Sequence, residues 1–168
     1  MIRFCALGPQ HDRASFRNGV DSLDRYLRES ATQAMRKRLS AVVVATDSGD
    51  PREILGYYAL AATEIDGSRL PESVRRSERL PTHSIGTVIL GRLAVDKRHQ
   101  GRGIGGRLLA NAFRRSIAAA SLIGTTCVVV DALDERAARF YESFGFVRIR
   151  DSSRLVIAMQ SIVAGSAG

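Results

Sequence analysis

Between Gln100 and Gly106 the chain reads Gln-Gly-Arg-Gly-Ile-Gly-Gly. Glycines set this close around one arginine suit the holding of a phosphate. Backbone N–H groups reach phosphate oxygens only where no side chain stands in the way. The flanks fit the same chemistry. Val88 to Val95 is an apolar run rich in β-branched residues, and after Ile104 the apolar Leu108, Leu109, Ala112, Phe113 and Ile117 recur at helical spacing. Strand, glycine turn and helix together aim free N–H groups and a positive helix end at an anion. Gly101-x-Gly103-x-x-Gly106 satisfies the dinucleotide fingerprint, and Val128-Val129-Val130-Asp131 supplies a later acid of the kind that binds a ribose. A glycine-rich turn without a ligand satisfies the spacing equally well.

The same residues also spell Gln100-x-x-Gly103-x-Gly105, which resembles the acetyl-CoA pyrophosphate loop of the GNAT superfamily of N-acetyltransferases. The loop alone leaves all three readings open. Other reactive side chains do not narrow the choice. His11, His83 and His99 lack ligand spacing, so no metal site is expected. Cys5 and Cys127 lie in apolar runs and read as buried thiols.

The composition is that of a folded chain: 168 residues, 45% of them hydrophobic. No apolar run is long enough for a membrane span, and the N-terminus shows no signal-peptide core. A cytoplasmic protein with no membrane partner is the expectation. The formal net charge of +8 points to a polyanionic partner. From Arg92 to Arg115 stand Arg92, Lys97, Arg98, Arg102, Arg107, Arg114 and Arg115 against Asp96 alone. Some would face a phosphorylated cofactor. The remainder, with Arg75, Arg76 and Arg79, would track an RNA backbone or form a solvated face.

The elements that must position these groups follow from periodicity. Ile2 to Leu7 is a strand. A helix capped by Asp21 or Ser22 runs to Arg36-Lys37-Arg38. Ala41–Thr46 and Ile54–Ala62 form an antiparallel hairpin around Asp47-Ser48-Gly49-Asp50-Pro51. Glu64 to Ile85 reads as an irregular basic loop with a short helix over Glu72–Arg79. The strand before the glycine turn, the helix from Ile104 to Ala120 and the strand Thr125–Asp131 make one parallel crossover. A short helix over Asp134–Ser143, closed by Gly145, precedes two final strands. Residues 1–160 read as one domain and 161–168 as a frayed tail. One crossover among antiparallel pairs disfavours the dinucleotide fold, which needs several. The fold class is α/β: a mixed, mostly antiparallel sheet with flanking helices.

With this order in place, nearly the whole chain resembles the GNAT superfamily. It is more similar still to the acetyltransferase toxins of type II toxin–antitoxin pairs. The residues that carry the resemblance are Phe16, Gly19, Val20, Leu23-Asp24 and Leu27; Gly56-Tyr57-Tyr58-Ala59-Leu60; Gly91-Arg92-Leu93-Ala94-Val95-Asp96; Gln100 to Gly105; Val130-Asp131-Ala132; and Phe140-Tyr141-Glu142-Ser143-Phe144-Gly145-Phe146. Asn18 departs from the cysteine usual in that branch. The resemblance implies a central sheet that splays beside the glycine loop, with acetyl-CoA in the gap. It implies that Leu93, Ala94 and Val95 meet the pantetheine arm, and that Gln100, Gly101, Arg102, Gly103, Ile104, Gly105 and Gly106 hold the pyrophosphate. Tyr141 would stand near the sulfur, with Phe140 among the cofactor-binding residues. The charge excess, apart from the resemblance, makes Arg75, Arg76, Arg79, Arg92 and Arg98 the candidates to meet tRNA. The implied partners are aminoacyl-tRNA, a ribbon-helix-helix antitoxin and a second copy of the chain. The implied activity is acetylation of the α-amine of aminoacyl-tRNA, which blocks translation.

Acyl transfer from a thioester needs a neutral amine, a polarised carbonyl and a proton for the departing thiolate. By its neighbours alone, Tyr141 reads as an aromatic packing between Phe140 and Phe144. The resemblance makes it the acid. Glu64, His83 and Asp96 are available bases, and none stands out. An α-amine, with a pKa near 8, is already partly neutral at pH 7 and needs a base less than a lysine does. A GNAT acting on a small amine or a protein N-terminus is the second expectation. A binding module that holds CoA or RNA without chemistry is the third.

Overall fold

The computed structural model describes residues 1–166. The chain is mixed α/β, with strand order β1-β2-β3-β4-β5-β7-β6. It divides into two compact units: Met1–Ala61 with Gly91–Ala112, and Ala62–Leu90 with Phe113 onward. Among the described residues no helix is long and apolar enough to cross a membrane.

The first unit contains β1 (Ile2–Ala6), β2 (Ala41–Asp47), the first part of β3 (Ile54–Asp66) and the last part of β4 (Ser84–Val95). Strand β2 is a β-branched run and pairs antiparallel with both β1 and β3, from Ile2↔Asp47 on one side to Ala41↔Leu60 on the other. Asp47 and Asp50 close the hairpin by accepting the N–H groups of Gly49 and Arg52. The expected first helix is present but broken into α1 (Asp21–Arg25), a π-turn over Tyr26–Ser30 and α2 (Ala31–Arg36). Neither Asp21 nor Ser22 caps it. The N-cap is Val20, and the buried Asp24 reaches back to the N–H groups of Asn18 and Gly19. Leu23, Tyr26, Leu27 and Ala31 pack with Val42, Val44, Tyr57 and Ala94 as one core.

The motif Gly56-Tyr57-Tyr58 acquires a physical reason here. A Cβ on Gly56 would stand 2.8 Å from both the Ala94 carbonyl and the Leu108 side chain. The Tyr57 hydroxyl donates to the Leu23 carbonyl at 2.7 Å, and that of Tyr58 donates to Asn111 at 2.6 Å. The two tyrosines thus fasten α1 and α4 (Ile104–Ile123), and glycine lets backbones come close beside them.

The second unit holds β5 (Cys127–Asp131), α5 (Glu135–Glu142), β6 (Val147–Arg148), β7 (Arg154–Ala158) and α6 (Met159–Ser166). Its part of β4 pairs in parallel with β5, from Thr87↔Cys127 to Leu90↔Val130, and β5 pairs antiparallel with β7. Ile65, Leu70, Val74, Cys127, Val129 and Val156 lie in its core. The irregular stretch expected over Glu64–Ile85 is shorter than its composition suggests. Strand β3 runs on to Asp66, β4 begins at Ser84, and α3 (Glu72–Ser77) lies between them with Val74 buried. The frayed tail expected from Ser161 is helical instead, because Met159 and Ile162 are buried. Ala167 and Gly168 lie outside the described residues.

Candidate active site

The glycine loop belongs to the first unit. Strand β4 ends at Val95, a 3-10 turn covers Lys97–His99, and α4 begins at Ile104. Gly101 and Gly103 have φ of +75° and +73°, the left-handed region that side chains disfavour. A Cβ at either glycine would meet nothing within 4 Å, so backbone conformation, not crowding, demands glycine there. Ile104 is buried and anchors the helix start. The Arg107 N–H donates to the Gly103 carbonyl at 3.3 Å, closing the first turn of α4. The N–H groups of Ile104, Gly105 and Gly106 therefore have no intrahelical acceptor. Donors at the positive end of a 20-residue helix, beside an exposed glycine turn, can hold a diphosphate.

The side chains of the loop are used to fix it. Gln100 donates to the carbonyls of Val95 at 3.1 Å and Asn18 at 3.2 Å. Asn18 donates to the same Val95 carbonyl at 2.9 Å. The residue that departs from the usual cysteine thus ties the chain before α1 to the end of β4. Arg102 lies 2.8 Å from His99 Nδ1, and His99 Nε2 lies 3.0 Å from Glu53. Arginine can only donate, so Nδ1 accepts and the Nε2–H donates to Glu53.

Asp96 is fully buried at the foot of this loop. It accepts from the backbone N–H of Arg17 and Arg98, and bidentately from the Arg98 side chain. Burial alone would raise its pKa. The hydrogen bonds of Arg98 and Arg17, with the Arg98 charge, outweigh burial and hold the carboxyl below the ordinary aspartate value. Such a carboxylate is a structural anchor and a poor base. Arg98, expected to meet RNA, turns its nitrogens to Asp96 and, at 3.1 Å, to Glu53, with its side chain half-exposed. Arg92 lies over the Tyr26 ring, 3.7 Å from the centroid. Leu93 and Val95 are half-buried and Ala94 is buried, so alternate residues of β4 face opposite sides.

Tyr141 belongs to the second unit, in the last turn of α5. Asp134 caps the start of that helix by accepting the Ala137 N–H at 2.8 Å. Gly145, with φ of +97°, closes its end in the left-handed conformation. The Tyr141 carbonyl accepts the N–H groups of Phe144 and Phe146, which fixes the backbone beneath the ring. The ring packs edge-on against Phe140 at 5.3 Å and Phe146 at 5.4 Å. It is 7% exposed, and burial pushes its pKa up to about 12. Its hydroxyl meets no hydrogen-bond partner among the described residues, unlike those of Tyr57 and Tyr58. The oxygen itself is not among the buried unpartnered side-chain atoms, so it opens to solvent, where a neutral O–H can donate to a ligand.

Of the expected RNA contacts in this unit, Arg76 forms an ion pair with Glu72, while Arg75 and Arg79 enter no ion pair among the described residues. Glu64 accepts the Ser84 hydroxyl, and His83 Nδ1 lies against the Ser84 carbonyl. Asp131 pairs with Arg154 at the strand end, as a strand-end polar residue. Among the described residues no group of three potential ligands could hold a metal ion. Residue spacing did not reveal the roles of Asn18 or Glu53. Their partners lie up to 82 positions away, and no local pattern records such a contact.

The comparisons with known proteins agree with this geometry. Residues 38–148 match the family model described as acetyltransferase (GNAT) domain. The chain is 36% identical over 150 residues to the tRNA-acetylating toxin of Mycobacterium tuberculosis, covering 89% of this chain and 87% of that protein. It superposes on AtaT complexed with acetyl-methionyl-tRNAfMet with a TM-score of 0.89 at 26% identity, covering 99% of each chain. AtaTR bound with acetyl-CoA gives 0.80 at 27%, covering 98% of each. An AtaT mutant bound to the C-terminus of the antitoxin AtaR gives 0.82 at 25%, covering 99% of this chain and 97% of that one.

Proposed function

The chain belongs to the GNAT acetyltransferases, and from that membership we propose that it moves the acetyl group of acetyl-CoA onto the α-amine of aminoacyl-tRNA. The observation that carries the substrate is the 36% identity to a tRNA-acetylating toxin across nine-tenths of the chain. The structure of AtaT with an acetylated methionyl-tRNA supports the same acceptor. On this reading the protein is a toxin that blocks translation, acts in the cytoplasm as a homodimer and is silenced by a ribbon-helix-helix antitoxin. The complex of AtaT with the C-terminus of AtaR supports the antitoxin.

Each step has a candidate in this chain. The amides from Gln100 to Gly106 hold the pyrophosphate, and Leu93 to Val95 pair with the pantetheine. The neutral α-amine attacks the thioester carbonyl carbon, a C–N bond forms, and the tetrahedral intermediate expels the CoA thiolate. Tyr141 gives that thiolate its proton. A hydroxyl with a pKa near 12 is protonated at pH 7 and is a weaker acid than the thiol formed. It therefore donates as charge builds on the departing sulfur, and the tyrosinate then regains, through water, the proton that the acetylated amine loses. The amine proton leaves through water, since an α-amine needs no strong base. Phe140 packs against the acid and shields it.

The test is transfer of labelled acetyl from acetyl-CoA to charged tRNA. Label on the aminoacyl group, together with growth arrest on expression, is the expected result. Label on free amines or protein N-termini and none on tRNA would overturn the substrate.

A further inference from the structure

A cleft of about 440 Å³ opens in the first unit on the flank of the glycine loop, and no step above uses it. His99, Arg102, Ile104 and Arg107 line it from the loop and the first turn of α4, and Ile2 and Leu55 from β1 and β3. Two of these side chains are guanidiniums without a carboxylate. Arg107 enters no ion pair among the described residues, and Arg102 is bonded only to His99. Glu53 and Asp47 also reach the cleft, but both are engaged. Glu53 accepts the Nε2–H of His99 at 3.0 Å and meets an Arg98 nitrogen at 3.1 Å. Asp47 accepts the Gly49 N–H at 2.8 Å and lies 3.4 Å from the Met1 amino group. The two cations therefore flank the free N–H groups that open α4 with no anion of their own.

Arg102 is held in place from behind. His99 is 14% exposed, and its Nδ1 accepts from Arg102 at 2.8 Å only because Glu53 keeps the ring proton on Nε2. Glu53 is tied through Arg98 to the buried Asp96. One bond to His99 leaves an arginine donors to spare. An anion that meets both guanidiniums must lie beside the diphosphate assigned to the loop amides. CoA carries such an anion, the 3′-phosphate of its ribose, a few bonds beyond the diphosphate. A phosphate monoester bears more than one negative charge at pH 7 and three acceptor oxygens, which suits two forked donors. Ile2, Leu55 and Ile104 give the cleft an apolar side, which suits the face of the adjoining adenine.

We propose that this cleft is a subsite for the 3′-phosphate of acetyl-CoA. Arg102 and Arg107 bind the monoester, and His99, held by Glu53, is the positioning residue for Arg102. The inference rests on the reading of the glycine loop as the diphosphate cradle. It adds the group by which the protein tells CoA from its dephosphorylated form.

The experiment is calorimetric measurement of Kd for CoA and for dephospho-CoA with the full chain, which needs no acceptor. Wild type should bind CoA roughly tenfold to a hundredfold more tightly, as a charge-assisted bond implies. The gap should narrow with salt, because the cleft is open to solvent. Arg102→Gln and Arg107→Gln should each weaken CoA and leave dephospho-CoA within about twofold, so that the gap shrinks. His99→Leu should act as Arg102→Gln does and add nothing to it in the double variant. His99→Gln should restore the gap, because its amide can accept from Arg102 and donate to Glu53. A wild-type gap under about twofold, or one that survives in the Arg102→Gln, Arg107→Gln double variant, would overturn the subsite. A full gap in His99→Leu would overturn the positioning role. If His99→Leu fails to fold, Glu53→Leu, which frees the His99 tautomer, takes its place under the same criterion. Gly103→Val should weaken both ligands alike. If it weakens neither, the diphosphate reading of the loop fails, whatever the gap between the two ligands.

Discussion

The two units hold their candidate functional groups in different materials. In the first, the glycine loop offers backbone: exposed turns at Gly101 and Gly103 and the unpaired N–H groups that open α4. In the second, α5 offers a single oxygen on a buried ring, held among Phe140 and Phe146. A backbone site tolerates many side chains and few conformations. A side-chain site tolerates local shifts of backbone and only one functional group. Substitutions therefore act differently in the two regions, through φ in one and through one atom in the other.

The largest effect falls on that atom. Tyr141→Phe removes an O–H with no partner among the described residues and keeps the ring that packs on Phe140 and Phe146. We expect kcat to drop by about 10² to 10⁴, the usual share of a general acid. KM for acetyl-CoA should hold and thermal stability should not fall. A mutant with near-normal turnover would show that thiolate departure needs no acid from α5.

The next effect reverses the comparison, because the first unit also has a decisive side chain, and it serves stability. Asp96→Asn removes the charge that Arg98 and the Arg17 N–H satisfy from within the core. The expected cost is about 2–3 kcal/mol, a fall in Tm of roughly 5–10 °C for a chain of this size. Turnover per folded molecule at low temperature should change little. Because the folded pKa of Asp96 is lowered, its contribution is present above the ordinary aspartate value of 3.8 and is lost as pH falls through the folded pKa. The variant should therefore show a flatter acid limb in a plot of Tm against pH. A Tm equal to wild type would make Asp96 dispensable.

Tyr141 supplies the mirror image at alkaline pH. Its folded pKa is about 12 against 10 for an exposed tyrosine, so the neutral ring stabilises the fold fully below pH 10. That contribution, about 2–3 kcal/mol, is lost as pH rises from 10 through 12. Melting between pH 9 and 11.5 should be less steep for Tyr141→Phe than for wild type. Identical slopes would mean that burial does not set the state of this hydroxyl.

The same contrast decides what a reader of the sequence can see. Glycine spacing between a β-branched run and an amphipathic segment announces a backbone site, because φ and periodicity are local properties. The hairpin, the single crossover and the cap at Gly145 are local in the same sense. Tyr141 carries no such mark. Among Phe140, Phe144 and Phe146 it looks like packing, and only the match to a family separated it from them. The contacts of Asn18 and Glu53 were invisible because their partners are distant in sequence, and so was the pairing of Arg98 with Glu53. The π-turn at Tyr26–Ser30 escaped because the apolar period runs through it almost unchanged. Tail residues from Ser161 form part of α6 because Ile162 finds cover, which small residues around it conceal.

The smallest effect tests whether the loop is governed by conformation alone. Gly103 has φ of +73° with open space where a Cβ would stand. A side chain there strains the backbone by about 1–2 kcal/mol, less for asparagine, which tolerates this region, and most for a β-branched residue. If φ governs, KM for acetyl-CoA should rise in the order Asn, Ala, Val, reaching roughly tenfold at valine. Tm of the free protein should fall in the same order. If instead the side chain crowds the bound phosphate, Asn and Val should raise KM alike, Ala should raise it least, and Tm should not follow. The second pattern would mean that the loop is read by shape as well as by backbone, and the contrast between the two units would narrow to the one oxygen of Tyr141.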